Sequence, residues 1–272
     1  DKFEIITFEG SFHGRSSAGI AATASEKMTK GFGPLLPGFL SINWNNHEAI
    51  KHSISDRTAA ILLEPIQGEG GIRVVPEQCL KGIREFCDEN KILLILDEVQ
   101  CGVGRTGKLF AHEWAEIEPD IMMVAKGIGG GFPLGAVLAK ENAASGMTTG
   151  THGSTYGGNP LGCSVGLKVM DIISNPNFLL DVNHKAKNFR AGLSELLNKN
   201  TSIFEEVRGK GLMLGLKCKV QNIDVVNAGY SNKLLTVPAG DNVVRLLPPL
   251  TISDKEIKQA LEKLDCVMTE LS

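Results

Sequence analysis

Three short apolar runs constrain the fold of this chain more than any other feature: AAILL at 59–63, ILLIL at 92–96 and IMMV at 121–124. A strand that is apolar on both faces must be covered on both faces. That is the habit of a parallel sheet sandwiched by helices, not of an antiparallel sheet with one wet side. The segment after the first run supplies such a helix: Pro76 opens it, and Leu80, Ile83, Phe86 and Cys87 fall on one face. FEIITF at 3–8 reads as a further strand, followed by a glycine-bearing loop at 10–14. The expected fold class is α/β with a mainly parallel sheet. Ligands bind such sheets at the carboxyl ends of the strands. Three polar clusters fall at that end: Glu64-Pro65-Ile66-Gln67, Asp97-Glu98-Val99-Gln100 and Lys126-Gly127.

Further along, Asn159-Pro160 forms an N-cap and N1 pair for a helix through Leu161, Val165, Val169 and Ile173, and Asn175-Pro176 ends it. A domain boundary is expected there, dividing a large domain, 1–174, from a smaller C-terminal α/β domain, 175–272. The second part holds a helix with Val182, Ala186, Phe189, Leu193 and Leu196, then a strand at 212–216. A last helix is opened by the capping box Ser253 and Glu256 and turns Ile257, Leu261, Leu264 and Met268 inward.

Bulk properties remove several classes of function. The 28 basic and 31 acidic residues are interspersed, so neither nucleic acid nor an anionic membrane is an expected partner. No apolar stretch approaches the roughly 18 residues needed to span a bilayer. Six cysteines without a CxxC pair read as reduced core thiols of a cytoplasmic protein. No His/Cys/Asp/Glu cluster has metal-ligand spacing, so no metal is expected. GVGRTG at 102–107 fits the dinucleotide pattern GxGxxG, but DEVQC separates it from its strand, which argues against nucleotide binding. The opening DKFEIITFEGSFHG has neither a starting Met nor a signal-peptide pattern and reads like mid-protein sequence, so the expectation is a fragment of a longer chain.

The chemistry centres on Asp97 and Lys126. Asp97 follows five apolar residues, so its carboxylate is shielded and needs a cationic partner. Lys126 sits in VAKGIGGGFPLG, where glycines leave room for a flat ligand; a desolvated lysine there would be a nucleophile toward aldehydes. Taken alone, the two could simply pair with each other. Pyridoxal phosphate, however, asks for a lysine for its aldehyde, an acid for its ring nitrogen, a surface for its ring and donors for its phosphate. The chain offers a candidate for each except a full phosphate cradle.

The segments SFHGR, EPIQGEGG, ILDEVQCGVGRTG, AKGIGGGFPLGAV and GSTYGGNPLG, in this order, resemble those of class III (ornithine-type) aminotransferases of fold type I, and the likeness runs over nearly the whole chain. The resemblance implies a PLP-dependent transferase fold and these roles. Lys126 bonds the cofactor and shuttles a proton. Asp97 pairs with the pyridine nitrogen, Phe12 and Val99 cover the two ring faces, and Gln100 lies near the ring hydroxyl. Arg15 and Arg245 bind substrate carboxylates, and Glu69 pairs with Arg245 when an ω-amino donor is bound. Thr155 reaches the phosphate of a neighbouring subunit, which implies a homodimer. SFHGRS, GFGPLLPGF, RGKGLMLGLK and VVRLLPPLTI are most similar to the acetylornithine branch, which implies transfer of a δ-amino group from N-acetylornithine to 2-oxoglutarate in arginine biosynthesis. Ornithine or another ω-amino acid is the alternative donor. A further alternative is a catalytically silent fragment, because the family's N-terminal portion, with its phosphate-holding turn, has no counterpart here.

Overall fold

In the computed structural model, which describes residues 2–23, 25–44 and 46–272, the three apolar runs line up at the centre of a six-stranded sheet. Its strands are β1 (Glu4–Phe8), β2 (Phe39–Ile42) and β3 (Thr58–Leu63), followed by β6 (Leu93–Asp97), β7 (Ile121–Val124) and β8 (Ala136–Ala139). A two-stranded hairpin, β4 (Ile66–Gln67) and β5 (Arg73–Val74), stands between β3 and β6 in the chain. The sheet order is β2-β1-β3-β6-β7-β8, parallel throughout except where β8 returns antiparallel to β7. Leu63 lies opposite Leu96, and Asp97 opposite Met123, so β3, β6 and β7 end at one level. Side chains that follow those ends therefore converge.

One face of this sheet is closed by the helix Glu77–Asn90. Its Leu80, Ile83 and Cys87 pack with Ile6, Phe8, Ile61, Leu63, Leu94 and Leu96 in one buried cluster. The helix Pro160–Ile173 starts where Asn159 Oδ1 accepts the Gly162 amide at 2.8 Å.

A second, antiparallel sheet runs β11 (Val237–Ala239), β12 (Val243–Leu246), β10 (Met213–Cys218), β9 (Phe204–Lys210) across its width. The helices Pro176–Lys199 and Asp254–Glu270 join its core, the latter closed by reciprocal Ser253–Glu256 capping bonds. Leu214 lies in this core with no exposure. Leu214→Ala is expected to cost about 2–5 kcal/mol of stability, since β-sheet and helix on either side leave little room for collapse. A urea unfolding midpoint unchanged from the parent would contradict this packing.

Several elements differ from what the sequence pattern suggests. Asn175-Pro176 does more than end a helix: Asn175 caps the next one, accepting from the Asn177 amide at 2.9 Å. The strand expected at 212–216 is β10, shifted to Met213–Cys218 by its pairing with β9. Only Cys87, Cys101 and Cys218 are buried core thiols. Cys79 is half-buried, and Cys163 and Cys266 are exposed because they fall on the outer faces of their helices.

Candidate active site

Asp97 ends β6 and is 5% exposed. A carboxylate at such a position must be satisfied by donors, and two supply this: the Val99 amide at 3.0 Å to Oδ1 and His13 Nδ1 at 2.9 Å to Oδ2. With Asp97 ionised, Nδ1 carries the hydrogen and donates. The partner is thus an imidazole from the loop after β1 and not Lys126, which makes no ion pair among the described residues. His13 Nε2 is buried with no partner, so the ring is held by Asp97 alone. Sequence reasoning passed over His13 although it stands inside SFHGR. Nothing local marks it, because its partner lies 84 residues away.

Glu64 follows β3 as Asp97 ends β6, and it is also buried. Its Oε1 accepts the Phe12 amide at 2.9 Å and its Oε2 the Gly68 amide at 3.2 Å. Burial, and then the neighbouring Asp97 carboxylate, push its pKa up to about 8 against the pull of those two amides and of Lys126.

Lys126 opens a turn of 3-10 helix immediately beyond β7 and Ala125, with φ of 46°. That region is unfavourable for a residue with a Cβ, so backbone strain sits on this lysine. Its side chain is exposed, not desolvated as expected, because Gly127, Gly130 and Gly131 beside it are exposed too. It lines a cavity of about 520 Å³ together with Val99, Gln100 and Arg105. Burial without a carboxylate partner lowers the Arg105 guanidinium to about 10, and it donates to the Pro248 and Leu212 carbonyls at 2.5 and 3.3 Å.

On the side of the second sheet, Arg245 of β12 is 7% exposed and donates from Nη1 to Glu69 Oε1 at 2.6 Å and to Gln100 Oε1 at 3.1 Å. Gly240 donates its amide to the Glu69 carbonyl at 2.8 Å, which fixes the Glu69 loop against the same sheet. Gln100 is therefore engaged with Arg245. Arg15 is exposed, its guanidinium 5.6 Å from the centre of the half-buried Phe12 ring. Thr155 stands in an exposed turn and makes no hydrogen bond to this cluster among the described residues. Glu98, also missed from the sequence, anchors the strand-to-loop exit. It has no exposure, and its carboxylate accepts the Ala111 and His112 amides at 2.7 and 2.9 Å and bonds His112 Nδ1 at 2.9 Å.

No group of three His, Cys, Asp or Glu among the described residues could hold a metal ion, and none of their helices is long and apolar enough to cross a membrane. The chemistry of the donor set is instead that of an aldehyde-bearing, cationic aromatic ring: a primary amine, a buried carboxylate, an aromatic wall and a guanidinium reach one sheet edge. This defines a class of pyridoxal-phosphate enzyme. The family described as aminotransferase class-III matches residues 1–268. The chain is 61% identical over 271 residues to acetylornithine aminotransferase of Rhodobacter capsulatus, covering 100% of this chain and 69% of that protein. Among solved structures, N-acetylornithine aminotransferase of Stenotrophomonas maltophilia superposes with a TM-score of 0.83 at 35% identity, covering 100% of this chain and 67% of the other. The ornithine aminotransferase of Toxoplasma gondii, whose active site holds PLP at partial occupancy, superposes with a TM-score of 0.93 at 31% identity, covering 99% and 65%. The chain belongs to the class III aminotransferase family, spans about two thirds of the length of these relatives, and its cofactor is pyridoxal phosphate.

Proposed function

We propose that this chain carries the catalytic core of an acetylornithine aminotransferase, moving the δ-amino group of N-acetylornithine to 2-oxoglutarate in arginine biosynthesis. The observation that carries the reading is the Arg245–Glu69 pair at 2.6 Å, reached by Gln100 from the Asp97 side of the site. A reaction that takes first an ω-amino donor and then a dicarboxylic acceptor needs a guanidinium that is neutralised for one and free for the other. Glu69, one-third exposed, is the partner able to swing away.

Bound pyridoxal phosphate supplies an electron sink for the carbon that loses its proton. Lys126 would hold it through its aldehyde, Asp97 through its ring nitrogen, and Phe12 and Val99 through its faces. Lys126 Nζ then serves as general base and acid, taking the proton from the donor's δ-carbon and returning one on the acceptor half. Arg15 and Arg245 orient substrate carboxylates.

We further propose a division into domains 1–174 and 175–272, supported by a core that gathers residues from Val182 onward. A homodimer is proposed as well, with Thr155 contributed to the neighbouring site. Its support is the exposure of large apolar side chains in β8 and from Tyr156 onward: Val137, Tyr156, Leu161 and Leu167 are between 62% and 82% exposed. A cytoplasmic location fits six cysteines of which none is in a disulfide.

The test is glutamate formation from 2-oxoglutarate with PLP present. N-acetylornithine is expected to be used at least about tenfold faster than ornithine, a margin of about 1.4 kcal/mol in transition-state binding. Faster use of ornithine would move the assignment to the other donor.

A further inference from the structure

Glu64 is a buried carboxylate at the strand ends to which neither the reaction nor the cofactor assigns a part. We propose that Glu64 is a positioning residue that clamps the Phe12–His13 loop to the Gly68–Glu69 loop, holding the ring wall and the Arg245 switch in one frame. Each oxygen accepts one backbone amide, Phe12 at 2.9 Å and Gly68 at 3.2 Å, from segments that belong to different parts of the site. Beyond Phe12 the loop continues into His13, which fixes Asp97. Beyond Gly68 it continues into Glu69, which pairs with Arg245.

The Gly68 end is tight. A Cβ there would stand 2.0 Å from Gln100 Oε1, so Gln100 lies directly on the Gly68 backbone. Gln100 Oε1 in turn accepts from Arg245. A shift of Gly68 is therefore felt by the guanidinium through two contacts. Both facing groups are amide donors, so the side chain must offer an acceptor at each end, which the carboxyl does fully as the carboxylate, above its pKa of about 8. A glutamine would offer one acceptor oxygen and turn its own N–H₂ toward the second N–H, leaving that amide unsatisfied in a buried place. The other groups that act on Glu64 are Asp97 and Lys126, and it acts in turn on the buried Cys101. None of these replaces the two amides as partners.

The proposal rests on the transaminase reading only for its cofactor arm, so two readouts are used on the full chain. Glu64→Gln is expected to speed amide exchange at Phe12 and Gly68 by about tenfold or more, and to raise the PLP dissociation constant by about tenfold in equilibrium dialysis. Leu214 and Leu216 of the second sheet should keep their parental exchange rates. Glu64→Asp, which retains both oxygens, should restore most of the protection. Exchange within twofold of the parent at both amides in Glu64→Gln would overturn the clamp. If neither variant folds, the parent chain decides. Its Phe12 and Gly68 amides must exchange about a hundredfold more slowly than the exposed Gly131 and Gly150 amides, and equal rates would overturn the proposal. A parent that bound no PLP would count against the transaminase reading, and the exchange comparison would still decide the clamp.

Discussion

Replacing Lys126 with alanine is expected to cut turnover by about ten-thousandfold or more, the range that a positioned acid–base group supplies, before its covalent role is counted. The expectation rests on position. Lys126 stands two residues beyond the end of β7, the strand whose Met123 lies opposite Asp97, and among the described residues it is the only lysine lining the cavity beside Val99 and Gln100. The strained φ of 46° points the same way, since a lysine is held in that region only where the surroundings over-determine it. Lys126→Arg should fail almost as completely, because a guanidinium stays protonated and cannot act as the base. The measurement is steady-state glutamate formation, paired with borohydride reduction of the PLP-loaded chain and sequencing of the labelled peptide. The parent should carry its label on Lys126, and the alanine variant nowhere. Label on another lysine, or parental turnover without Lys126, would remove this residue from the chemistry.

The parts of this fold that were legible from sequence are those whose residues are apolar on both faces. AAILL, ILLIL and IMMV have no polar face, so β3, β6 and β7 could be placed in the middle of a covered sheet, and the residues at their ends became candidates. Edge strands carry no such mark. β2 reads FLSI with two exposed positions, and all four residues of β8 are exposed, so neither its existence nor its antiparallel run follows from a hydrophobic pattern. The helix termini were legible for another reason: an N-cap is a local bond, as at Asn159 and Ser253, and needs no knowledge of the fold.

The site divides along the same line. Asp97 and Lys126 announce themselves by following apolar runs. Glu64 meets the same criterion, directly after AAILL, but its task lies in the two amides it accepts, and these come from loops that the sequence does not bring together. What was invisible is the pairing. His13 reaches Asp97 across 84 residues, Arg245 reaches Glu69 across 176, and Glu64 reaches Phe12 across 52. Those partners are set by sheet order and register, which a one-dimensional pattern does not contain. The exposure of Lys126 was missed for a related reason: whether a strand-end residue is covered depends on what the glycine loop beside it packs against.

Replacing Asp97 with asparagine is expected to lower turnover by about a thousandfold while leaving the fold intact. The amide keeps the side chain's volume and one acceptor oxygen, so either the Val99 amide or His13 Nδ1 can still be satisfied. What disappears is the negative charge. Opposite unit charges about 4 Å apart at an effective dielectric of about 20 attract by about 4 kcal/mol, close to three powers of ten in rate if the ring must stay protonated. His13 shapes the result. In the parent its Nδ1–H donates to Oδ2 and its Nε2 has no partner, so it turns the carboxylate in a fixed direction. In Asp97→Asn the imidazole can meet either the amide oxygen or the amide nitrogen. The His13 ring resonances should therefore shift in NMR spectra, while those of the second sheet stay in place. Thermal unfolding should move little, which separates a lost charge from a lost structure. A variant that turned over at the parental rate with a displaced His13 signal would show that Asp97 orients the histidine and nothing more. Parental turnover with an unmoved histidine would take Asp97 out of the site altogether.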